Sequence, residues 1–268
     1  MIIPFYNGEA HVEYLEKARG GHTYRWIEKD KFLPGPTSVL PEIWAQVWKA
    51  PWMKKLSCAY FRAQCEAGRT DYDAIEKEAK SEDRRVSKEA TDIGSLVHKF
   101  CEEYPGGQMP EDAQARAACE AFKRWHYQHD VDAIEKEKVI FSRSLCYAGK
   151  FDLLATIDGE LCILDYKTSK VFAEENPAQL AAYAVAHQEN TGEKIAHGWI
   201  IRLDKLTGEV DPHYVPLTDE LKRSWVNGVQ WYWSRKNILN LSERIKEATA
   251  KGTKVCQTSP STSLAVEL

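Results

Sequence analysis

Apolar and polar residues alternate along residues 132–168 with the period of two that half-buried strands show. Three runs carry the pattern: AIEKEKVIFS, GKFDLLATI and ELCILDYKT. Asp158-Gly159 separates the second run from the third, and Asp-Gly between β-rich runs is typical of a two-residue hairpin. The pattern therefore predicts a three-strand meander.

Helical patterns precede the meander. A charged segment over residues 76–104 predicts one long helix that ends near Tyr104, and Pro110 is expected to open the next helix. Nearer the N-terminus, residues 9–33 predict a short hairpin. The segment PGPTSVL then predicts a helix capped by Thr37 or Ser38.

After the meander, Asn176-Pro177 predicts the cap and first residue of a helix that Thr191-Gly192 closes. Two strands, IAHGWIIRL and GEVDPHYVPL, follow, and Thr218 is expected to cap a last, Trp-rich helix. Its tryptophans can stack on bases, but their spacing favours packing in the core. The order predicts one α/β domain over residues 1–248 with a helical N-terminal elaboration, then a mobile polar tail over 249–268.

Composition narrows the class of protein. The chain has 43% hydrophobic and 28% charged residues, as soluble globular proteins do, and no apolar run long enough for a membrane span or a signal peptide. The formal charge of −4 means that any contact with nucleic acid must rest on local patches. Seven scattered cysteines without a C-x-x-C spacing argue against a disulfide framework or a zinc ribbon. We therefore expect a cytoplasmic protein.

The hairpin register brings two acids together. If Ile157 pairs with Glu160, Asp152 lies opposite Asp165 on the same face of the sheet, with their Cβ atoms about 5 Å apart. Two carboxylates that close repel each other, so the pair needs a cation. A hard divalent ion such as Mg²⁺ or Mn²⁺ is the natural candidate.

Two lysines are expected beside this pair. Lys167 follows Asp165 by two residues and so lies on the same face, and the same register sets Lys150 opposite it. An ammonium there can hold a nucleophilic water or stabilise charge on a phosphate. The alternative is an exposed strand face with an incidental Asp–Lys pair.

One helix face adds a further candidate ligand. Gly94, His98 and Glu102 follow each other at intervals of four in the long charged segment, so they share one face of the predicted helix. Glycine permits close approach of another backbone, and His98 can bind a metal ion or a phosphate. For a lone histidine, a structural role is the more common alternative.

Together these residues resemble the PD-(D/E)XK nuclease superfamily, in its RecB-like branch with the phage-type exonucleases. Its ordered motifs, G-x-x-x-H, G-x-x-D, D-x-K-T and Q-x-x-x-Y, stand here as Gly94–His98, Gly149–Asp152, Asp165–Thr168 and Gln179–Tyr183. The resemblance implies a restriction-endonuclease-like core, a central mixed sheet flanked by helices. Residues 1–90 would form the N-terminal hairpin and helices, 91–217 the catalytic core and 218–248 the C-terminal helix.

The resemblance also implies roles for individual residues. His98, Asp152, Asp165 and the Tyr166 carbonyl would bind the metal ion. Lys167 would position or activate the attacking water, and Gln179 and Tyr183 would support the site or contact the nucleic-acid backbone. Lys150, Thr168 and Glu102 are weaker candidates for nucleic-acid contact, and either Glu135 or Glu137 is a further acid near the motifs.

The activity implied is a divalent-metal-dependent DNA exonuclease of phage or bacterial recombination or repair, acting on DNA ends. The alternatives are an endonuclease on the same core and a non-catalytic DNA-binding protein. A recombination partner or a second copy of the chain is a further expectation. Some relatives carry an iron–sulfur cluster on one cysteine before the nuclease core and three cysteines clustered after it. Only Cys256 follows Tyr183 here, so no such cluster is expected.

Overall fold

The N-terminal region forms a small antiparallel sheet. The computed structural model describes residues 1–17, 21–44 and 48–250, with side chains up to residue 247. Four strands pair in chain order: β1 (Ile2–Phe5), β2 (Ala10–Glu16), β3 (His22–Trp26) and β4 (Lys31–Leu33). The predicted hairpin over residues 9–33 was therefore too small. Strand β1 was missed because it is only four residues long, and it is held by pairing with β2.

Five helices follow the small sheet. They are α1 (Pro36–Ile43), α2 (Lys49–Glu66), α3 (Tyr72–Ala79), α4 (Glu82–Glu103) and α5 (Ala113–Gln128). The single helix predicted over residues 76–104 is wrong, since the chain turns between α3 and α4. The Ser81 hydroxyl donates to the Glu78 carbonyl at 2.9 Å there, an example of a serine competing with helical hydrogen bonding. The predicted end near Tyr104 is confirmed.

Two helices, α1 and α5, begin a few residues away from their predicted starts. Helix α1 is preceded by Gly35 rather than by Thr37 or Ser38, because Pro36 fits the first turn, where no backbone donor is needed. Helix α5 begins after Pro110, with the Asp112 carboxylate accepting from the Ala115 amide at 2.8 Å.

The core is a five-stranded mixed sheet. Its strands, in spatial and chain order, are β5 (Val131–Ser142), β6 (Tyr147–Ile157), β7 (Glu160–Lys167), β8 (His197–Leu203) and β9 (Val210–Pro216). Only β7 and β8 pair in parallel among these, because helix α6 (Asn176–Thr191) carries the chain back between them. Glu175, not Asn176, precedes α6, and Gly192 ends it in the left-handed conformation, with φ of 76°.

The hairpin between β6 and β7 has the predicted two-residue turn. Ile157 pairs with Glu160, and Asp158 and Gly159 both have positive φ, as a type I′ turn requires. The ladder continues to Leu153 and Leu164, one step short of the two motif acids. The predicted opposition of Lys150 and Lys167 lies beyond this ladder and stays a prediction; on the other edge of β6, Lys150 pairs with Val139 of β5.

Helices cover both faces of the mixed sheet. Helices α1, α6 and α7 (Asp219–Ala250) pack on one face, and α4 and α5 pack on the other. Trp225 of α7 is 1% exposed and belongs to the core, whereas Trp231 is 56% exposed, so the predicted packing holds for only part of the tryptophan-rich helix. The small sheet packs on β5 and β6 through Val139, Phe141 and Ala148.

Within residues 1–17, 21–44 and 48–250, no helix is both long enough and apolar enough to cross a membrane. The tail expected to be mobile from residue 249 lies, from residue 251 onward, outside the described residues.

Candidate active site

A cavity of about 1200 Å³ opens where β6 and β7 part. Helix α4, the start of α1, the start of α6 and the loop after β7 border it. Residues of all four sequence motifs line it: Gly94, His98, Gly149, Asp152, Asp165, Tyr166, Lys167, Thr168, Gln179 and Tyr183. The fold thus brings motifs that are up to 89 positions apart to one place.

One group of three side chains in this cavity has the geometry of a metal site. His98, Glu137 and Asp152 offer ligand atoms that all lie within 4.8 Å of one another. His98 Nδ1 is 3.4 Å from Asp152 Oδ1. The other Asp152 oxygen accepts a hydrogen bond from the Tyr166 amide at 2.6 Å, which fixes the carboxylate. Two carboxylates and an imidazole are ligands that suit a divalent cation.

The charges of this cluster are strongly coupled. Burial disfavours the charged imidazole, but the neighbouring Asp152 carboxylate outweighs it and raises the pKa of His98 to about 9. Burial opposes ionisation of Asp152 as well, yet His98 lowers the pKa of that carboxyl. Burial and the charge of Asp152 raise the pKa of Glu137. The acids therefore require a nearby positive charge, and a divalent cation fits that requirement.

Glu137 reaches the cluster because β5 is irregular. The pairing of β5 with β6 shifts register between Ala133 and Glu135, and Glu137 has a φ of +50°. Its carboxylate forms an ion pair with Lys150. Glu135, the other acid considered from the sequence, pairs instead with Lys138. The sequence alone did not separate these two glutamates, since a bulge changes which side chains face the cavity.

A second set of side chains forms a connected chain beside the cluster. Lys167 Nζ lies 2.5 Å from Asp165 Oδ2 and donates to Gln179 Oε1 at 3.0 Å. Gln179 Nε2 donates to Asp165 Oδ1 at 2.9 Å and to the Tyr183 hydroxyl at 2.7 Å. The Asp165 side chain is only 4% exposed, so its carboxylate faces the lysine and the glutamine rather than water. Lys167 is thereby held in one position.

Burial governs the protonation of this chain. It raises the pKa of Asp165, with the Asp152 charge acting in the same direction and Lys167 opposing it. Burial disfavours the charged form of Lys167, but Asp165 raises the pKa of that ammonium above its ordinary value. Burial also raises the pKa of Tyr183, so its hydroxyl stays protonated. Lys167 is consequently a fixed positive charge facing the cavity.

The two motif glycines allow close approaches. A Cβ on Gly149 would lie 3.0 Å from Pro36 Cδ and 3.1 Å from Tyr183 Cε1. A Cβ on Gly94 would lie 3.2 Å from the Thr168 hydroxyl. Glycine at these positions lets α1 and α6 approach β6, and lets α4 approach the loop after β7.

The remaining predicted residues border the site. Lys150 pairs with Glu137 and lies 5.8 Å from the centre of the Tyr14 ring. Glu102 is exposed on α4 and lines the cavity. The Tyr166 ring is buried edge-on against His98, with the ring centres 6.1 Å apart. The roles of these residues as ligands or nucleic-acid contacts stay predictions.

Comparison with known proteins agrees with this geometry. Residues 133–257 match a family model described as the PD-(D/E)XK nuclease superfamily. The human protein mitochondrial genome maintenance exonuclease 1 is 28% identical over 129 residues, which cover 44% of this chain and 38% of the human protein. The chain therefore matches well under half the length of that relative.

Among solved structures, an alkaline exonuclease from Laribacter hongkongensis is similar over 60% of this chain and 87% of its own, with 14% identity and a TM-score of 0.35. The family match covers β5 to β9, the strands that carry the second and third motifs, and the mixed sheet gathers all four motifs around one cavity. Over residues 133–257, a little under half of its length, the chain is similar to the PD-(D/E)XK nuclease superfamily.

Proposed function

We propose that the protein is a divalent-metal-dependent DNA exonuclease that hydrolyses phosphodiester bonds by attack of water. The observation that carries the proposal is the proximity of two elements in one cavity. One is the cluster of His98, Glu137 and Asp152, and the other is the ammonium of Lys167 held by Asp165 and Gln179. Hydrolysis of a phosphate diester needs both charge neutralisation and an oriented water.

His98, Glu137 and Asp152 would hold the metal ion, with Asp165 and the Tyr166 carbonyl as further proposed ligands. Nucleases of this superfamily use divalent metal ions, and such an ion bound here would stabilise negative charge on the phosphate and lower the pKa of a bound water. The donor set supports this assignment, because two half-buried carboxylates within reach of one imidazole need a cation.

Lys167 would hold the attacking water and contact a phosphate oxygen. Its ammonium has three donors, of which Asp165 and Gln179 engage two. The third is left for a ligand in the cavity. Gln179 orients the lysine and the aspartate at once, and Tyr183 fixes the amide of Gln179 by accepting its second hydrogen.

The exonuclease mode and the preference for DNA rest on the sequence motifs and on the relatives' names. The four motifs resemble those of RecB-like exonucleases, and the human relative is named an exonuclease. We further propose residues 1–248 as one nuclease domain. Its proposed setting is recombination or repair in the cytoplasm of a bacterial or phage-infected cell.

End-labelled single-stranded DNA, double-stranded DNA and a closed circle distinguish the alternatives. We expect release of short products from the linear substrates with Mg²⁺ or Mn²⁺, none with chelator, and an intact circle. Cleavage of the closed circle would show that the protein is an endonuclease rather than an exonuclease. Binding without cleavage of any substrate, with either metal, would favour a non-catalytic DNA-binding protein and overturn the proposal.

A further inference from the structure

Two loops on one side of the cavity each present a lysine. The loop after β7 carries Lys170, and the turn between β8 and β9 carries Lys205; both residues line the cavity. We infer that these two lysines form a phosphate-binding rim, which holds the nucleic-acid backbone beside the reacting phosphate, and that Arg202 positions both loops. The inference deepens the proposed nuclease function and rests on it.

Arg202 links the two loops directly. Arg202 pairs with Lys167 in the parallel register of β7 and β8, so it lies near the end of β8 that is nearest the cavity. Its Nη1 donates to the Lys170 carbonyl at 3.1 Å and to the Asp204 carboxylate at 3.2 Å, and its Nε donates to Asp211 at 2.9 Å. The side chain is 15% exposed, so these bonds are well shielded from water.

Asp204 connects Arg202 to the second loop, the turn between β8 and β9. Its Oδ1 accepts from the amides of Leu206 and Thr207 at 2.9 Å and 3.1 Å. Its backbone carbonyl accepts from the Gly208 amide at 2.8 Å, which closes the turn around Lys205. Arg202 and Asp204 therefore fix the backbone on both sides of the gap between the loops.

The charges that line the cavity favour a nucleic-acid backbone that runs along the side formed by the two loops. Helix α4, which also borders the cavity, contributes three acidic side chains to its lining, Glu89, Glu102 and Glu103, and one basic side chain, Lys99. Those carboxylates repel phosphates. Neither Lys170 nor Lys205 has an ion-pair partner within the described parts of the chain, so their ammonium groups are free for a ligand. A phosphate backbone that enters the site is thus attracted to the two loop lysines.

The arrangement also explains why Arg202 is arginine. A guanidinium can bond two carboxylates and a carbonyl in one plane, which an ammonium cannot reproduce. Arg202 does not itself line the cavity, so it acts through the two lysines.

The first test measures the salt dependence of binding. Fluorescence anisotropy of a labelled single-stranded oligonucleotide, with chelator present, is compared for wild type, the double variant Lys170→Gln/Lys205→Gln and Lys194→Gln. Lys194 is an exposed lysine before the other end of β8 and serves as the matched control. Each lost phosphate contact is expected to reduce the slope of log K against log salt by about 0.7 for a single strand.

The double variant should therefore lose about 1 to 1.5 in slope and show a KM for DNA raised about tenfold, with a much smaller change in kcat. The Lys194 variant should match wild type. An unchanged slope and KM in the double variant, with wild type binding and cutting normally, overturns the inference but leaves the nuclease function intact. A wild type that neither binds nor cuts DNA overturns the nuclease function itself.

Arg202→Lys tests the positioning role. We expect a raised KM like that of the double lysine variant, with cleavage still dependent on metal and a folded circular dichroism spectrum. A normal KM in this variant would show that the loops do not depend on Arg202. Asp211→Asn is the second variant, because it removes the negative charge of one guanidinium partner while it leaves the Lys170 contact in place, and it should give a smaller rise in KM.

Discussion

Asp165 and Lys167 form an ion pair within one strand, with Nζ 2.5 Å from Oδ2, and Gln179 bonds both of them from the facing helix. Two residues of a D-x-K motif share a face by the alternation of the strand. The structure adds that the glutamine of a separate motif closes the pair into a ring of three contacts. Lys167 therefore faces the cavity in one fixed orientation.

Replacing Gln179 by leucine tests this ring. The change removes one donor to Asp165 and one acceptor from Lys167, both largely buried, so we expect a loss of about 1–3 kcal/mol in the free energy of unfolding. Cleavage should fall about 10–100-fold, the usual cost of losing an orienting group. Gln188→Leu, on the same helix and partly exposed, is the control and should change neither quantity appreciably. Equal effects of the two substitutions would contradict the ring.

Glu137 and Glu135 offer a matched pair for the metal site. Only Glu137 belongs to the cluster with His98 and Asp152. We expect Glu137→Gln to weaken Mn²⁺ binding, measured by calorimetry, by about tenfold or more. Glu135→Gln should leave the affinity within about twofold, since that residue pairs with Lys138. A larger loss of affinity in the Glu135 variant than in the Glu137 variant would show that Glu135, and not Glu137, binds the metal ion.

Gly149 is needed because the neighbouring side chains leave too little room for a Cβ atom, and not because of its backbone conformation. A methyl group there would come within 3.1 Å of Pro36 and Tyr183, so Gly149→Ala should cost about 1–3 kcal/mol in the free energy of unfolding. Gly106→Ala is the control, because its nearest neighbour would be 3.6 Å away. Denaturant unfolding measures both variants. A Gly149→Ala protein as stable as wild type would show that α1 or α6 can move away from β6.

The turn that sets the hairpin register predicts a pH effect. His129 and the Asp130 amide lower the pKa of the Asp158 carboxyl below its ordinary value of 3.8. A carboxylate with a lowered pKa stabilises the fold above its unfolded pKa, and this contribution is lost as the pH falls through the lowered value. Asp158→Asn keeps a residue that tolerates the positive φ and removes the charge.

At pH 7, the Asp158→Asn variant should therefore unfold at a lower temperature than wild type. The difference should shrink as the pH falls below about 3.8, where wild type loses the same charge. A difference that stays constant across this range would mean that the turn does not depend on ionised Asp158.

The sequence predicted the elements that local patterns determine. The Asp158-Gly159 hairpin and the end of α6 at Gly192 have the predicted form, because turn chemistry is local. The central sheet and its flanking helices are also as expected. The β1 strand and the break before α4 were missed. The first depends on pairing with β2, and the second on a serine whose hydroxyl competes with the helix.

Much of the site could be predicted, since its motif residues have fixed spacings. Glu137 could not be chosen over Glu135, because a register shift in β5 decides which of them faces the cavity. Arg202 gave no signal in the sequence either. The role that we infer for it rests on a parallel strand pairing and on contacts to two loops that are 34 residues apart. Such relationships exist only after the chain has folded.

The central claim is that the cluster around Asp152 and the ammonium of Lys167 act together to cut DNA. The most direct measurement is the cleavage rate of end-labelled linear DNA with Mn²⁺ by wild type, Asp152→Asn and Lys167→Gln. Asp132→Asn, an exposed acid on β5, is the control. We predict that wild type and the control cut at similar rates, while the two site variants are slowed at least about 100-fold and remain folded. Cleavage at the wild-type rate by either site variant would contradict the account.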